Sequence, residues 1–163
     1  MTALEAIATA LQSSRNLLTW YLSDLSDTDL LVRPVPQANH IAWQVGHLIV
    51  TERSLAEYLP AANYPTLPEG FAAQHDKEMA AKEPATGFWG REAYVGLFQQ
   101  VREATLRGLA GLSEAELDRP IVGPLAQLAP TLGKLLLLES DHTLMHAGQF
   151  SVVRRKLGKP VLF

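Results

Sequence analysis

The sequence predicts an all-α protein, a four-helix bundle with a long crossover between its second and third helices. Three observations carry this. Four stretches place apolar residues at helical spacing, no stretch alternates as a strand would, and one long segment rich in Pro, Ala and Gly separates the second stretch from the third. A chain of 163 residues has room for one domain with a sizeable core, so residues 1–163 read as a single domain.

The first stretch carries Leu4, Ile7, Ala8, Leu11, Leu17, Leu18 and Leu22, which predicts an amphipathic helix over 2–24. Ser26 then stands before Asp27 and Asp29 as a helix N-cap with an acidic first turn, and RPVPQAN breaks the pattern with two prolines. Helical spacing resumes from His40 to about Leu59, with Asn39 as N-cap and Pro60 as terminator. Residues 61–88 read as a connection with one helical turn around Gln74–Ala81, long enough to shape the mouth of a site.

The third helix covers 89–110 through Trp89, Ala93, Val95, Leu97, Phe98, Val101, Leu106 and Leu109, with Gly111 placed to end it. Ser113 and Glu116 form a capping-box pattern. After the loop around Pro120–Pro130, the longest helix runs over 131–157 and is closed by Gly158 and Pro160. LSDTDLLVRP at 25–34 echoes LSEAELDRP at 112–120. Either a helix pair is duplicated, or two capped turns happen to use similar chemistry.

Composition narrows the function classes. The chain is 47% hydrophobic and 19% charged with a formal net charge of -3, which fits a globular protein and disfavours nucleic acid or an anionic membrane as partner. It has no cysteine, so disulfides, thiolate metal sites and cysteine nucleophiles are excluded, and any metal must be held by nitrogen and oxygen. The start MTALEAIATALQSS lacks the pattern of a secretory signal, and no apolar run approaches about 18 residues. A cytoplasmic location is therefore expected.

The chemistry concentrates in ESDHTLMHAGQ at 139–149. His142 and His146, four residues apart on a helix, share one face within reach of one ion. His47 lies in the second helix, and Trp43, Gln44, Val50 and Ser54 at helical spacing turn its face inward. Three neutral imidazoles with one position left over form an open, catalytic type of zinc site, and nickel or ferrous iron accept the same ligands. Spacing by itself equally permits packed core histidines. Residue 143 is Thr where the HExxH proteases need glutamate as base, and Glu139 with His142 forms only one of the two ExxH motifs of a di-iron bundle. A single-metal site is the remaining metal reading.

NHIAWQVGHLIVTE at 39–52, followed by HTLMHAGQFSVVRRKLGKP at 142–160, resembles the DinB-like (YfiT-like) superfamily of metal-dependent bundle proteins. The resemblance spans nearly the whole chain, and the pairing of a WQVGHL helix with an HxxxHxGQ helix is its specific part. It implies a bundle of DinB/YfiT type, His47, His142 and His146 as the ligands, and a homodimer. In characterised relatives it implies transfer of a low-molecular-weight thiol of the bacillithiol or mycothiol type, or a thiol-dependent isomerisation. The expected function is metal-dependent transfer of such a thiol to a small electrophile, with a divalent metal (Zn, Ni or Fe) and the thiol as cofactors. Its rivals are a metal-assisted hydrolase and a metal-stabilised binding or stress-response protein without turnover. A fourth protein ligand, Glu139 or His40, would favour the last.

Around this set, Glu139 is the candidate catalytic residue, placed to orient a ligand, act as a base or accept a hydrogen bond from a ligand imidazole, unless it simply faces solvent. His40 is placed to cap the second helix or line a cofactor pocket, and Gln149 to hydrogen-bond near the site. Gly148 suits close helix packing, and Asp141 points away from the ligand face. His75 is expected to be exposed in its loop. Arg154, Arg155, Lys156 and Lys159 suit a solvated helix C-terminus, or attract an anionic thiol or substrate carboxylate. Trp20, Trp43 and Trp89 are expected in the core.

Overall fold

A computed structural model describes residues 1–162 and is all-helical among them. The four long helices are α1 (Ala3–Leu22), α2 (Ile41–Arg53), α4 (Arg91–Ala110) and α5 (Leu132–Lys156), and α3 (Phe71–Gln74) is a single turn inside the crossover. The expected bundle is therefore present. α2 ends earlier than its apolar spacing suggests, because Ser54–Glu57 tightens into a 3₁₀ turn ahead of Pro60.

Local chemistry accounts for the helix ends. Thr2 and Glu5 form a capping box on α1. α2 is capped by His40 rather than Asn39, its ring Nδ1 accepting the Trp43 N–H at 3.1 Å. α4 begins at Gly90, which has no capping side chain, so Asp27 supplies one across the fold by accepting the Arg91 N–H at 2.7 Å. A Cβ on Gly90 would stand 2.7 Å from that carboxylate, so a side chain there would push the cap aside. Both copies of the sequence echo fold as Ser-capped turns: Ser26 and Asp29 bond reciprocally, as do Ser113 and Glu116. Thr131 caps α5, and Gly158 ends it with φ of 68°.

In the bundle α1 and α2 each pack against both α4 and α5. Two apolar clusters fill the interior. One includes Leu18, Val45, Leu48, Phe98 and Phe150, and the other Leu11, Leu55, Leu132, Leu135 and Leu136. A polar layer stands where one gives way to the other. Arg102, fully buried, donates to Glu52 at 2.6 Å, to the Leu11 carbonyl at 2.6 Å, and to Ser14 and Thr143 at 2.9 Å. One guanidinium thus touches all four long helices. Its desolvation is offset by these bonds and by the Glu52 charge.

Three expectations are corrected here. Trp20 is 43% exposed and is not core. Arg154 is buried rather than solvated, paired with Asp24 and donating to the Tyr21 carbonyl at 2.9 Å. Lys156 and Lys159 reach the Arg33 and Asp24 carbonyls at 2.7 and 2.8 Å, so much of the basic run ties the end of α5 to residues 24–33. The crossover is held by Arg33, which pairs with Glu83 and donates to the Ala80 carbonyl at 2.8 Å. Among the described residues no helix is long and apolar enough to cross a membrane.

Candidate metal centre

α5 turns Glu139, Thr143, His146 and Phe150 into the bundle, with His142 half-buried at the edge of the same face. α2 brings His47 opposite. The donor atoms of His47, His142 and His146 all lie within 4.8 Å of one another, and no other His, Asp or Glu among the described residues joins that group. The His142 and His146 Nε2 atoms are 3.1 Å apart. Two imidazole nitrogens each about 2.0–2.1 Å from one zinc ion must also stand roughly 3 Å apart, so the pair is spaced for a shared ion.

Tautomers support the fit. Gln44 donates through Nε2 to the Asn39 carbonyl at 2.8 Å, which leaves its Oε1 facing His146 Nδ1 at 2.7 Å. An amide oxygen only accepts, so His146 carries its proton on Nδ1 and presents the Nε2 lone pair to the site. Without a cation, His142 must then donate from Nε2 to His146, and ligation requires that proton to leave. Trp43 stacks on His47, ring centroids 4.8 Å apart and 9° from parallel, and fixes the plane of the third imidazole.

Burial also holds the imidazoles neutral. It lowers His146 to about 3 and His142 to about 4, helped by the neighbouring imidazoles, and it lowers His47 against an opposing hydrogen bond with the His75 backbone. The neutral form is the one that ligates.

The other candidate residues fall into place around this group. Glu139 is buried rather than solvent-facing, and it stands outside the three-histidine group. Burial, then the charge of Glu52, pushes its carboxyl well above the usual carboxylate range against the pull of Arg102, which favours its neutral form. His40 is fully buried and edge-on to Phe88 at 4.4 Å, also outside the group. Gln149 is an exposed side chain further along α5. Gly148 is exposed, with open space where a Cβ would stand, so close packing does not explain it. Asp141 is exposed, as expected.

His75 corrects the expectation of a free loop residue. It is 1% exposed, its Nδ1 donates to the Phe71 carbonyl at 2.7 Å, and its Nε2 accepts from the Tyr94 hydroxyl at 2.8 Å. Its ring lies on Gly46, where a Cβ would come within 2.0 Å. Trp43 donates from Nε1 to the Asp76 carbonyl at 2.9 Å, so the crossover is a fixed wall beside His47.

Sequence reasoning did not single out Glu52 and Arg102, and it read Gln44 only as a marker of the inward face. A signal existed: Glu52 continues the stripe Val45, Leu48 and Ile49, and Arg102 adjoins Phe98, Val101 and Thr105 on the buried face of α4. A charge on an inward stripe signals a partner.

A family model described as the DinB superfamily matches residues 10–150. A crystal structure of a conserved protein from Enterococcus faecalis matches at a TM-score of 0.73, covering 98% of this chain and 99% of that one at 18% identity, which is a likeness of fold. No curated protein matches the chain.

Proposed function

The chain belongs to the DinB superfamily, and from that premise we propose that it is a metal-dependent enzyme transferring a low-molecular-weight thiol of the bacillithiol or mycothiol type to a small electrophile. The observation that carries the metal part is the convergence of His47, His142 and His146 within 4.8 Å with no carboxylate in the group. A divalent ion such as zinc, nickel or ferrous iron held there would lower the pKa of a thiol at the position the three imidazoles leave open. The thiol must come from a small molecule, since the chain has no cysteine.

The protein's own groups have separable tasks in this reading. Gln44 keeps the proton of His146 on Nδ1, and Trp43 holds the His47 ring. Glu139, one turn before His142 and held toward its neutral form by burial, is suited in this reading to donate a hydrogen bond or a proton. A homodimer belongs to the same reading, and Leu137, Leu144, Met145 and Val152 form an exposed apolar row on α5 for it.

Elemental analysis of untagged protein against the His142→Ala/His146→Ala variant tests the centre. Near-stoichiometric metal in the wild type and its loss in the variant is expected; no metal in either after reconstitution would overturn it. Screening thiols against electrophiles with the loaded enzyme then tests the reaction, and turnover independent of any thiol would redirect the assignment to hydrolysis.

A further inference from the structure

The two helices that carry the converging histidines are tied to each other at two levels. Near the start of α2, Gln44 Oε1 meets His146 Nδ1 of α5 at 2.7 Å. Near its end, Glu52 reaches Thr143 of α5 through Arg102, which donates from Nε to Glu52 Oε1 at 2.6 Å and from Nη2 to Thr143 Oγ1 at 2.9 Å. His47 lies between these ties, after Gln44 and before Glu52, and Thr143 is the residue next to His142. The first tie ends on one of the three imidazoles. The second ends on none of them, and its middle is a residue of α4, a helix that contributes nothing to the three-histidine group.

Arg102 is itself held from α1 and from its own helix. Its Nη1 donates to the Leu11 carbonyl at 2.6 Å and to Ser14 at 2.9 Å, and its guanidinium lies 5.3 Å from the centroid of the Phe98 ring. Arg102 and Glu52 are both fully withdrawn from water. An ion pair so dry loses much of its attraction to desolvation, and apolar residues of similar volume often stabilise such a layer as well or better. What apolar packing lacks is direction, whereas a guanidinium fork fixes its partners in distance and angle. A metal site depends on that, because imidazole nitrogens must converge at about 2.0–2.1 Å from one zinc ion, and a constellation is productive only when held to within about 0.5 Å.

We propose that Arg102 is a positioning residue of the metal centre: by gripping Glu52 and Thr143 together, it sets the spacing of α2 and α5 at which His47 meets His142 and His146. This rests on the metal reading above and not on the reaction. Geometry and stability are separable here, because the hydroxyls around Arg102 have backbone partners of their own. Ser14 donates to the Leu11 carbonyl at 3.1 Å, Thr105 to the Val101 carbonyl at 3.2 Å and Thr143 to the Glu139 carbonyl at 2.8 Å. Replacing the ion pair by apolar side chains therefore strands no hydroxyl proton.

The test compares wild type with Glu52→Leu/Arg102→Met in urea unfolding, in a zinc competition titration and in the visible absorption of the cobalt(II)-loaded protein. The double variant should unfold at the same urea concentration as wild type or a higher one, yet bind zinc about 10–100-fold more weakly and show altered cobalt bands. Equal zinc affinity with an unchanged cobalt spectrum overturns the proposal. Should the double variant fail to fold, Thr143→Val decides, because it keeps the Arg102–Glu52 pair and cuts only the α5 end of the tie. Its zinc affinity must fall, and an unchanged value overturns the proposal as well. Wild type that takes up no zinc removes the metal centre and this proposal with it, whereas zinc held equally by wild type and variants removes this proposal alone.

Discussion

Gln44 settles which nitrogen His146 offers. Its amide is oriented by the Asn39 carbonyl, so the oxygen can point only at His146 Nδ1, and the lone pair is left on Nε2, 3.1 Å from His142. Removing that oxygen frees the ring to rotate and to exchange tautomers. Gln44→Leu should therefore weaken zinc binding about 10–100-fold, the usual cost of losing a ligand's outer partner, while circular dichroism stays that of a folded bundle. Unchanged affinity in a competition titration would show that the ring is held by packing alone. The same reasoning separates the histidines: His142 and His146 are two of the three imidazoles that converge, whereas His40 spends Nδ1 on capping α2.

Between elements, the tightest junction is α2 against the crossover. Gly46 lets the His75 ring lie on the α2 backbone, where a methyl group would stand 2.0 Å from it. His75 is bonded at both nitrogens, to the Phe71 carbonyl and to the Tyr94 hydroxyl, so it cannot swing aside without losing one of them. Gly46→Ala should destabilise the protein by about 1–3 kcal/mol by urea unfolding, the range for overpacking. It should also weaken zinc binding, because His47 is the next residue and leans on the same wall through the His75 backbone. A stable variant would mean that the crossover yields more readily than its hydrogen bonds imply.

Across the whole molecule, burial acts on all five histidines in one direction and on Glu139 in the other. His40, His47, His75, His142 and His146 are all lowered from 6.5, so the unfolded chain binds protons that the native state refuses. Stability from these groups is present above 6.5 and is lost as pH falls toward about 4. Glu139, raised from 4.5 to about 8, stabilises below 4.5 and loses that contribution as pH rises through about 8. Five groups outweigh one on the acid side. Chelator-treated protein should be most resistant to urea near neutrality, losing stability steeply toward pH 5 and shallowly toward pH 8. Stability that rises from pH 6.5 to 5 would contradict the burial of the histidines.

The four long helices were legible because helical spacing and end signals are local: Pro60, Gly111, the Ser113–Glu116 box and Gly158 each act within a few residues. The pairing of His142 and His146 on one face was legible for the same reason, since four residues on one helix set their separation. His47 joined them through the resemblance, and the fold then placed all three within 4.8 Å. Everything that depends on what lies across the bundle was closed to the sequence. Asp27 caps α4 from 64 positions away, and Arg102 finds Glu52 at a separation of 50. His75 looked exposed because its loop has no periodicity, yet a glycine on another helix makes room for it. Glu139 carries the sharpest contrast. Its place on the same face as His142 and His146 follows from counting along α5, but its raised pKa comes first from burial and then from Glu52, and both are set only by neighbours that folding brings together.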